Sequence, residues 1–186
     1  MRRARQIYDE VREAQALLGI GQIDEAMALA EPLRREAMEL LGRSSLTSFE
    51  RLHAGGAAVY ATVTLILGAA ESSPPAESVP RIRALATATV AAHLPKADAR
   101  TKADVRTKAD ARTKAETWKV LAAAAEMLAR AGDAGGASWA AKKALELGPD
   151  EEYLTRVAGG IRSMYPQVYA ATPHQTDAPP PLPGTG

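Results

Sequence analysis

The stretch WKVLAAAAEMLARAGDAGGASWAAKKALELGPD, Trp118–Asp150, decides the fold. Its apolar residues recur at the spacing of a helical face, first over 118–131 and again over 134–147. Gly132 lies between the two runs, where a tight turn needs the backbone freedom of glycine. Pro149 follows the second run and ends it. The stretch therefore predicts two antiparallel helices joined by a short corner.

The same arrangement occurs 111 residues earlier in the chain. In both stretches a helix ends at a glycine turn, and a small residue five places later begins the apolar face of the next helix. Small residues at these places let paired helices touch, so both stretches predict a close helix hairpin. The corresponding positions are Ala14 and Ala125, Leu17 and Leu128, Gly21 and Gly132, Ala26 and Ala137, and Ala30 and Ala141.

The rest of the chain also shows helical periodicity, and no strand alternation of useful length occurs. The predicted fold class is therefore all-α. A capping-box spacing, Thr47 to Glu50, begins the third helix. The other expected elements are helices near 7–18, 24–41 (through Pro32, stopped by Gly42), 50–70, 79–93 and 151–164, with a Pro- and Ser-rich loop over 71–80.

Two regions make up the expected domain organisation. Residues 1–165 form the helical repeat domain, which includes a charged hexad tract over 96–117. Residues 166–186 form a proline-rich tail that cannot bury a core and should be disordered or extended. Its Pro179–Pro183 run, PPPLP, could dock into an aromatic groove as a polyproline segment; a passive tail is the other interpretation.

Composition limits the chemistry that the chain can perform. Alanine supplies 40 of the 186 residues and aromatic residues only 4%, so a core built on aromatic rings is excluded. No cysteine is present, which removes disulfides, thiol catalysis and thiolate metal sites. A net charge of +1 creates no global field toward nucleic acid or membrane.

One uncharged run, Ala54–Ala70, raises the question of a membrane. A transmembrane helix needs about 20 predominantly apolar residues, whereas this run has 17 and is rich in Ala, Gly and Thr. We expect a helix buried on all sides in a soluble bundle, with a membrane helix as the alternative. The basic start of the chain is followed by charged residues rather than an apolar core, so no secretory signal is visible and a cytoplasmic location is expected.

No catalytic constellation is readable. Neither His53 nor His93 has a second histidine or a carboxylate at i+3 or i+4, and His174, three residues before Asp177, lies in the proline-rich tail, so no helix-borne metal pair is expected. The sequence also shows no glycine-rich phosphate loop and no nucleophile elbow. The prediction is a protein that is not an enzyme and needs no cofactor and no metal.

The stretch Trp118–Asp150 resembles a tetratricopeptide repeat. Leu121, Ala124, Ala125 and Leu128 fill the first helix of that pattern, Gly132-Asp133 the turn, and Ala137, Ala141, Ala144 and Leu147 the second helix, with Pro149 closing the unit. The segment 7–40 is similar, but Glu10 and Glu13 stand where the family prefers packing residues. The middle, 48–93, has the length of a helix pair and a degenerate pattern.

This resemblance implies stacked antiparallel helix pairs, as a solenoid or a bundle, with a concave face that holds a peptide or a partner helix. By analogy with the family, the partner-binding residues would be Tyr8, Gln15, Lys119, Glu126 and Arg130. The alternative is that these are ordinary solvated residues of amphipathic helices. The expected function is a non-catalytic protein–protein interaction module.

A second interpretation comes from a narrower resemblance. Some bacterial helix-turn-helix regulators carry such repeats after a DNA-binding domain, and this chain shows no recognition helix before its first repeat. It would then be the ligand- or peptide-sensing and dimerising part of a regulator system, so a homodimer is a possible state.

The tract between the second and third helix pairs is built from a six-residue unit. Lys-Ala-Asp-Ala-Arg-Thr begins at Lys96, recurs at Lys102 with Val105 in place of one Ala, recurs again at Lys108, and dissolves after Lys114. Six residues rotate a helix by about 600°, so the apolar positions wind around it and form no buried stripe. Charge pairs at i,i+4 would stabilise a solvated helix that extends the Trp118 helix backward, or a fluctuating one. From Lys96 to Lys114 the tract carries +4, but interleaved Asp and absent aromatics argue against a nucleic-acid platform.

The absence of a buried stripe predicts that shortening the tract costs little. Deleting Lys102–Thr113 removes two units and should change the melting temperature by about 2 °C or less, because no core is touched. Thermal unfolding followed by circular dichroism would measure this. A loss several times larger would show that the tract packs against the domain.

Overall fold

The computed structural model describes residues 2–93 and 107–147. These residues form six helices and no strand, so the all-α fold class is confirmed for the described part of the chain. The helices are α1 (Arg2–Gly19), α2 (Ile23–Leu41), α3 (Ser48–Ser72), α4 (Pro75–His93), α5 (Thr107–Arg130) and α6 (Ala134–Leu147). The predicted helix over 151–164 and the proline-rich tail lie outside the described residues.

Helix α3 lies at the centre of the fold and packs against α1, α2, α4 and α5. Thirteen of its residues are buried, most of them Ala, Gly, Thr and Val. Small side chains let the neighbouring helices come close: a Cβ atom at Gly68 would lie 2.5 Å from the Cγ of Met27 in α2. The helix is long and apolar enough to span a membrane, and 72% of its most apolar window is buried. The mostly buried core helix of a soluble bundle also meets these criteria of length and composition.

The two glycine corners that the sequence aligned have the same geometry. Gly21 has φ 81° and Gly132 has φ 82°, the left-handed region that favours glycine. The amide after each glycine donates to the carbonyl five residues earlier: Gln22 to Leu17 at 3.0 Å and Asp133 to Leu128 at 2.8 Å. The glycine amides donate three residues back, which completes a Schellman motif at both corners. The offset of 111 residues therefore holds for the hydrogen bonds too.

The start of α3 matches the sequence pattern. The Thr47 hydroxyl accepts a hydrogen bond from the Glu50 amide at 3.2 Å, and the Glu50 carboxylate accepts one from the Thr47 amide at 3.0 Å. These two bonds form the predicted capping box. Gly42 does cap α2, but with φ −68°, so this helix end does not use the left-handed conformation.

The proline- and serine-rich loop over 71–80 was predicted too long. Helix α3 continues to Ser72 and α4 begins at Pro75, which leaves a connection of two residues, Ser73 and Pro74. Proline fits the first position of a helix because its missing amide has no intrahelical partner there. The Pro74 carbonyl accepts from the amides of Glu77 and Ser78, so the chain turns directly into α4, with Pro80 inside its second turn.

Helix α5 begins eleven residues before Trp118. It includes Thr107–Thr117, so a helix does extend backward over the last part of the hexad tract. The first units of the tract, at Lys96 and Lys102, fall in the gap between the described ranges. Thr117 and Trp118 are both buried, with 0% and 8% of their surfaces exposed.

A buried ion pair joins α4 to the corner between α5 and α6. The Arg83 guanidinium donates to both carboxylate oxygens of Asp133, and its Nε lies 2.6 Å from Oδ2. The two side chains are only 10% and 11% exposed. Asp133 also accepts from the Gly136 amide at 3.1 Å and so caps α6. A side chain at Gly136 would collide with the Asp133 carboxylate, so this position needs glycine.

The corner geometry predicts that Gly21→Ala and Gly132→Ala each lower the free energy of unfolding by about 1–2 kcal/mol, because alanine is strained at positive φ. Gly19→Ala is the matched control. Gly19 has an ordinary φ, and no neighbouring atom lies within 4 Å of an added Cβ, so this change should be neutral or slightly stabilising. Urea unfolding of the three variants would measure the difference. Equal free energies of unfolding for the three variants would contradict the role of positive φ at Gly21 and Gly132.

The Arg83–Asp133 pair gives a second stability prediction. Arg83→Met leaves a buried carboxylate without its cation and should cost about 3–5 kcal/mol, as removal of one partner of a buried pair does. Asp133→Asn keeps an acceptor for the Gly136 amide but loses the charge. The double variant should be less destabilised than the sum of the single variants, which a double-mutant cycle by chemical unfolding measures. Strict additivity would show that the pair contributes no coupling.

Candidate functional site

The five residues predicted to bind a partner lie on α1 and α5. Tyr8 and Gln15 are on α1 and half-buried, and Lys119 on α5 is half-buried as well. Glu126 and Arg130, further along α5, are exposed. Helix α3 packs against both α1 and α5, so the two groups of residues lie on two helices that share α3 as a neighbour.

Tyr60 of α3 connects the two groups. The Lys119 Nζ donates to the Tyr60 hydroxyl at 3.0 Å and lies 5.1 Å from the centre of its ring. The Tyr8 ring meets the Tyr60 ring edge to face, with the two centres 6.1 Å apart. Side chains of α1, α3 and α5 therefore meet at Tyr60, and edge-to-face rings and a cation over a ring are favourable contacts.

Gln15 joins this cluster through Arg12. The Arg12 guanidinium carbon lies 5.9 Å from the centre of the Tyr60 ring, and its Nη1 donates to the Gln15 Oε1 at 3.3 Å. Two cations, Arg12 and Lys119, thus flank one ring. The structure brings three of the five predicted residues together: Tyr8, Gln15 and Lys119.

Arg130 and Glu126 lie at the other end of α5, away from Tyr60. The Arg130 guanidinium lies 3.6 Å from the Glu71 carboxylate at the end of α3, and both side chains are about half exposed. An exposed pair of this kind contributes at most about 1 kcal/mol. Lys119 contacts Tyr60, and Arg130, eleven residues later on α5, contacts Glu71, eleven residues later on α3. Because the two contacts come in the same order along both helices, α5 runs in the same direction as α3.

Aromatic side chains continue from Tyr60 toward the start of α3. The Tyr8 and His53 rings meet edge to face, with their centres 5.6 Å apart. The centres of the His53 and Phe49 rings are 4.1 Å apart. The His53 ring is held by a contact of 2.8 Å between its Nδ1 and the Phe49 carbonyl. We call Phe49, His53, Tyr8 and Tyr60 the aromatic strip.

Beyond Tyr60 the same side of α3 carries Val63 and Leu67, which are half-buried. Their spacing of three and seven residues from Tyr60 places all three on one helix face. Ala122 and Ala123 of α5, also half-buried, come three and four residues after Lys119 and share its helix face. We call this surface of α1, α3 and α5 the front face; it consists of the aromatic strip with Arg12, Gln15, Val63, Leu67, Glu71, Lys119, Ala122, Ala123, Glu126 and Arg130.

Sequence reasoning missed the α3 side of the front face, above all Tyr60. Helix α3 is apolar nearly all round, so its sequence shows no polar stripe that would mark one face as accessible. The available signal was the spacing of its larger residues, Phe49, His53, Tyr60, Val63 and Leu67, against an Ala- and Gly-rich background.

The front face combines apolar surface with charged groups. It offers aromatic and aliphatic surface, two cations beside Tyr60, and a charge pair at its far end. Among residues 2–93 and 107–147, no group of three or more His, Asp or Glu residues is arranged to hold a metal ion. The predictions about catalysis, metals and cofactors stay predictions.

No protein-family model, curated protein or solved structure matches this chain.

Proposed function

We propose that this protein is a non-catalytic binding module that holds a peptide or a partner helix on the front face. One observation carries the proposal: Tyr8, Tyr60 and Lys119, from three helices far apart in sequence, meet on a surface that stays half exposed. A surface assembled from several helices offers a long apolar contact area, which is what a bound helix or extended peptide requires.

The packing of the helices supports a stack of tetratricopeptide-like pairs. Each helix packs against its hairpin partner, and α3 packs against both α1 and α5. Helices α3 and α5 run in the same direction, and the corner α1–α2 has the same hydrogen bonds as the corner α5–α6. In such a stack the first helices of the pairs, here α1, α3 and α5, line one common surface, and that surface is the front face.

The distribution of side chains on the front face supports a partner with an apolar centre. Tyr60, Val63 and Leu67 form the middle of the surface, where half-exposed apolar atoms would lose contact with water on binding. Charged side chains lie on either side: Arg12 and Lys119 beside Tyr60, and Glu126 with Arg130 at the far end. Such charges select partners and orientation more than they add affinity.

Alanine substitution of the charged residues on α5 tests the assignment. The variant Lys119→Ala, Glu126→Ala, Arg130→Ala should lose at least tenfold in the amount of partner captured from native lysate, because the charged edge of the surface is removed. Quantitative mass spectrometry of the captured proteins measures the loss. The helical signal in circular dichroism should stay at the wild-type level.

A matched control lies on α2 and just after it, outside the front face. The variant Arg35→Ala, Glu39→Ala, Arg43→Ala also removes two cations and one anion, all exposed, from α2 and the residues after it. It should capture the same partners as the wild-type chain. Equal capture by both triple variants would contradict the front-face assignment. A stable dimer that loses its partner chain only in the α5 variant would instead favour the dimerising interpretation.

A further inference from the structure

The aromatic residues of this chain are unevenly distributed over the described surface. Residues 2–93 and 107–147 contain five Phe, Tyr and Trp residues. Trp118 and Trp139 are buried, whereas Tyr8, Phe49 and Tyr60 are not, and Phe49 is 42% exposed. All three belong to the aromatic strip. Every accessible aromatic ring in the described part of the chain therefore lies on one surface, where His53 contacts Tyr8 and Phe49 and Tyr8 contacts Tyr60.

A row of accessible rings is the surface that polyproline segments recognise, because proline rings stack on aromatic side chains and the polyproline helix is ordered before it binds. The dimensions of the strip suit a short segment. Phe49 and Tyr60 are eleven residues apart on one helix, which is about 16 Å. A five-residue polyproline segment is about 15 Å long.

The chain itself contains such a segment, Pro179-Pro180-Pro181-Leu182-Pro183. Asp177 precedes it by two residues, and the strip has Arg12 and Lys119 at its Tyr60 end. Opposite charges would set the direction, with Asp177 near these cations and Pro183 toward Phe49.

The distance along the chain also permits this contact. Thirty-one residues separate Leu147, the last described residue, from Pro179. Even at the rise of a helix they would cover about 46 Å. The front face is only about 20 Å wide from α1 to α5, two helix spacings.

We propose that the aromatic strip binds the proline run 179–183 of the same chain, so that the tail occupies part of the front face. The inference rests on the proposed function, since it names a ligand class for the same surface. A partner with its own polyproline segment would then have to displace the tail.

The test uses the full-length protein and a variant in which Pro179, Pro180, Pro181 and Pro183 are all replaced by alanine. A peptide covering residues 176–186 is titrated into both, with NMR signals of Tyr8, Phe49, His53 and Tyr60 as the readout. The peptide should bind the alanine variant at least tenfold more tightly than the wild-type chain, because a linked tail competes at an effective concentration of about millimolar. The strip signals should already differ between the two proteins without peptide.

A pair of exposed apolar residues provides the control for the strip. In the alanine-tail background, Phe49→Ala should weaken peptide binding at least fivefold. Ile20→Ala, at a residue that is 74% exposed in the α1–α2 corner, should leave it unchanged. Circular dichroism checks that both variants keep the helical signal of the parent.

Three results would overturn the proposal: no binding of the peptide to either chain, equal binding to both, or no effect of Phe49→Ala. The wild-type tail could also compete with the peptide from a second copy of the chain. Competition that increases with protein concentration, together with dimers in light scattering, would show this and overturn the proposal. If the proline run fails in any of these ways while the α5 triple variant still loses its captured partner, the proposed function stands without this ligand. If that variant captures normally as well, both fail.

Discussion

The fold depends on the close approach of four helices to α3. This approach is possible because α3 presents Gly, Ala and Thr to its neighbours, as at Gly68, where the Met27 side chain occupies the space of a Cβ atom. The buried hydroxyls do not oppose the packing. Thr62 and Thr64 donate to the carbonyls of Ala58 and Tyr60 in their own helix, so their polar atoms are satisfied in the core.

The accessible large side chains of α3 lie on one side of the helix. Leu65 and Ile66 are fully buried between the small residues that face the neighbouring helices. Phe49, His53, Tyr60, Val63 and Leu67 follow one another at helical spacing on the side that stays partly open. The small-residue seam of Gly, Ala and Thr admits the helices packed against α3, and the partly open side carries the rings of the front face.

The sequence predicted those features that local chemistry controls. The Thr47–Glu50 capping box, the glycine corners at Gly21 and Gly132 and the bounds of α6 are all correct, because each depends on a few neighbouring residues. The loop before α4 was wrong, because a cluster of prolines reads as a break although proline also starts helices. The contacts of Tyr60 with Tyr8 and Lys119 and the Arg83–Asp133 pair could not be predicted, since both join residues more than 45 positions apart.

The aromatic strip is not required by the packing that holds the helices together. The core of the described part is filled by Ala, Val, Leu and Ile with two buried tryptophans, and Phe49 contributes little to it because much of its ring faces solvent. A helix with alanine at Phe49 and at His53 would keep the seam of α3 and its capping box. Large rings kept at the surface of a chain that has few of them gain most from burial by a further ligand, since apolar area is stabilising only when water leaves it. The argument for a bound partner therefore rests on the placement of the rings as much as on their number: they form one row, beside two cations, where three helices meet.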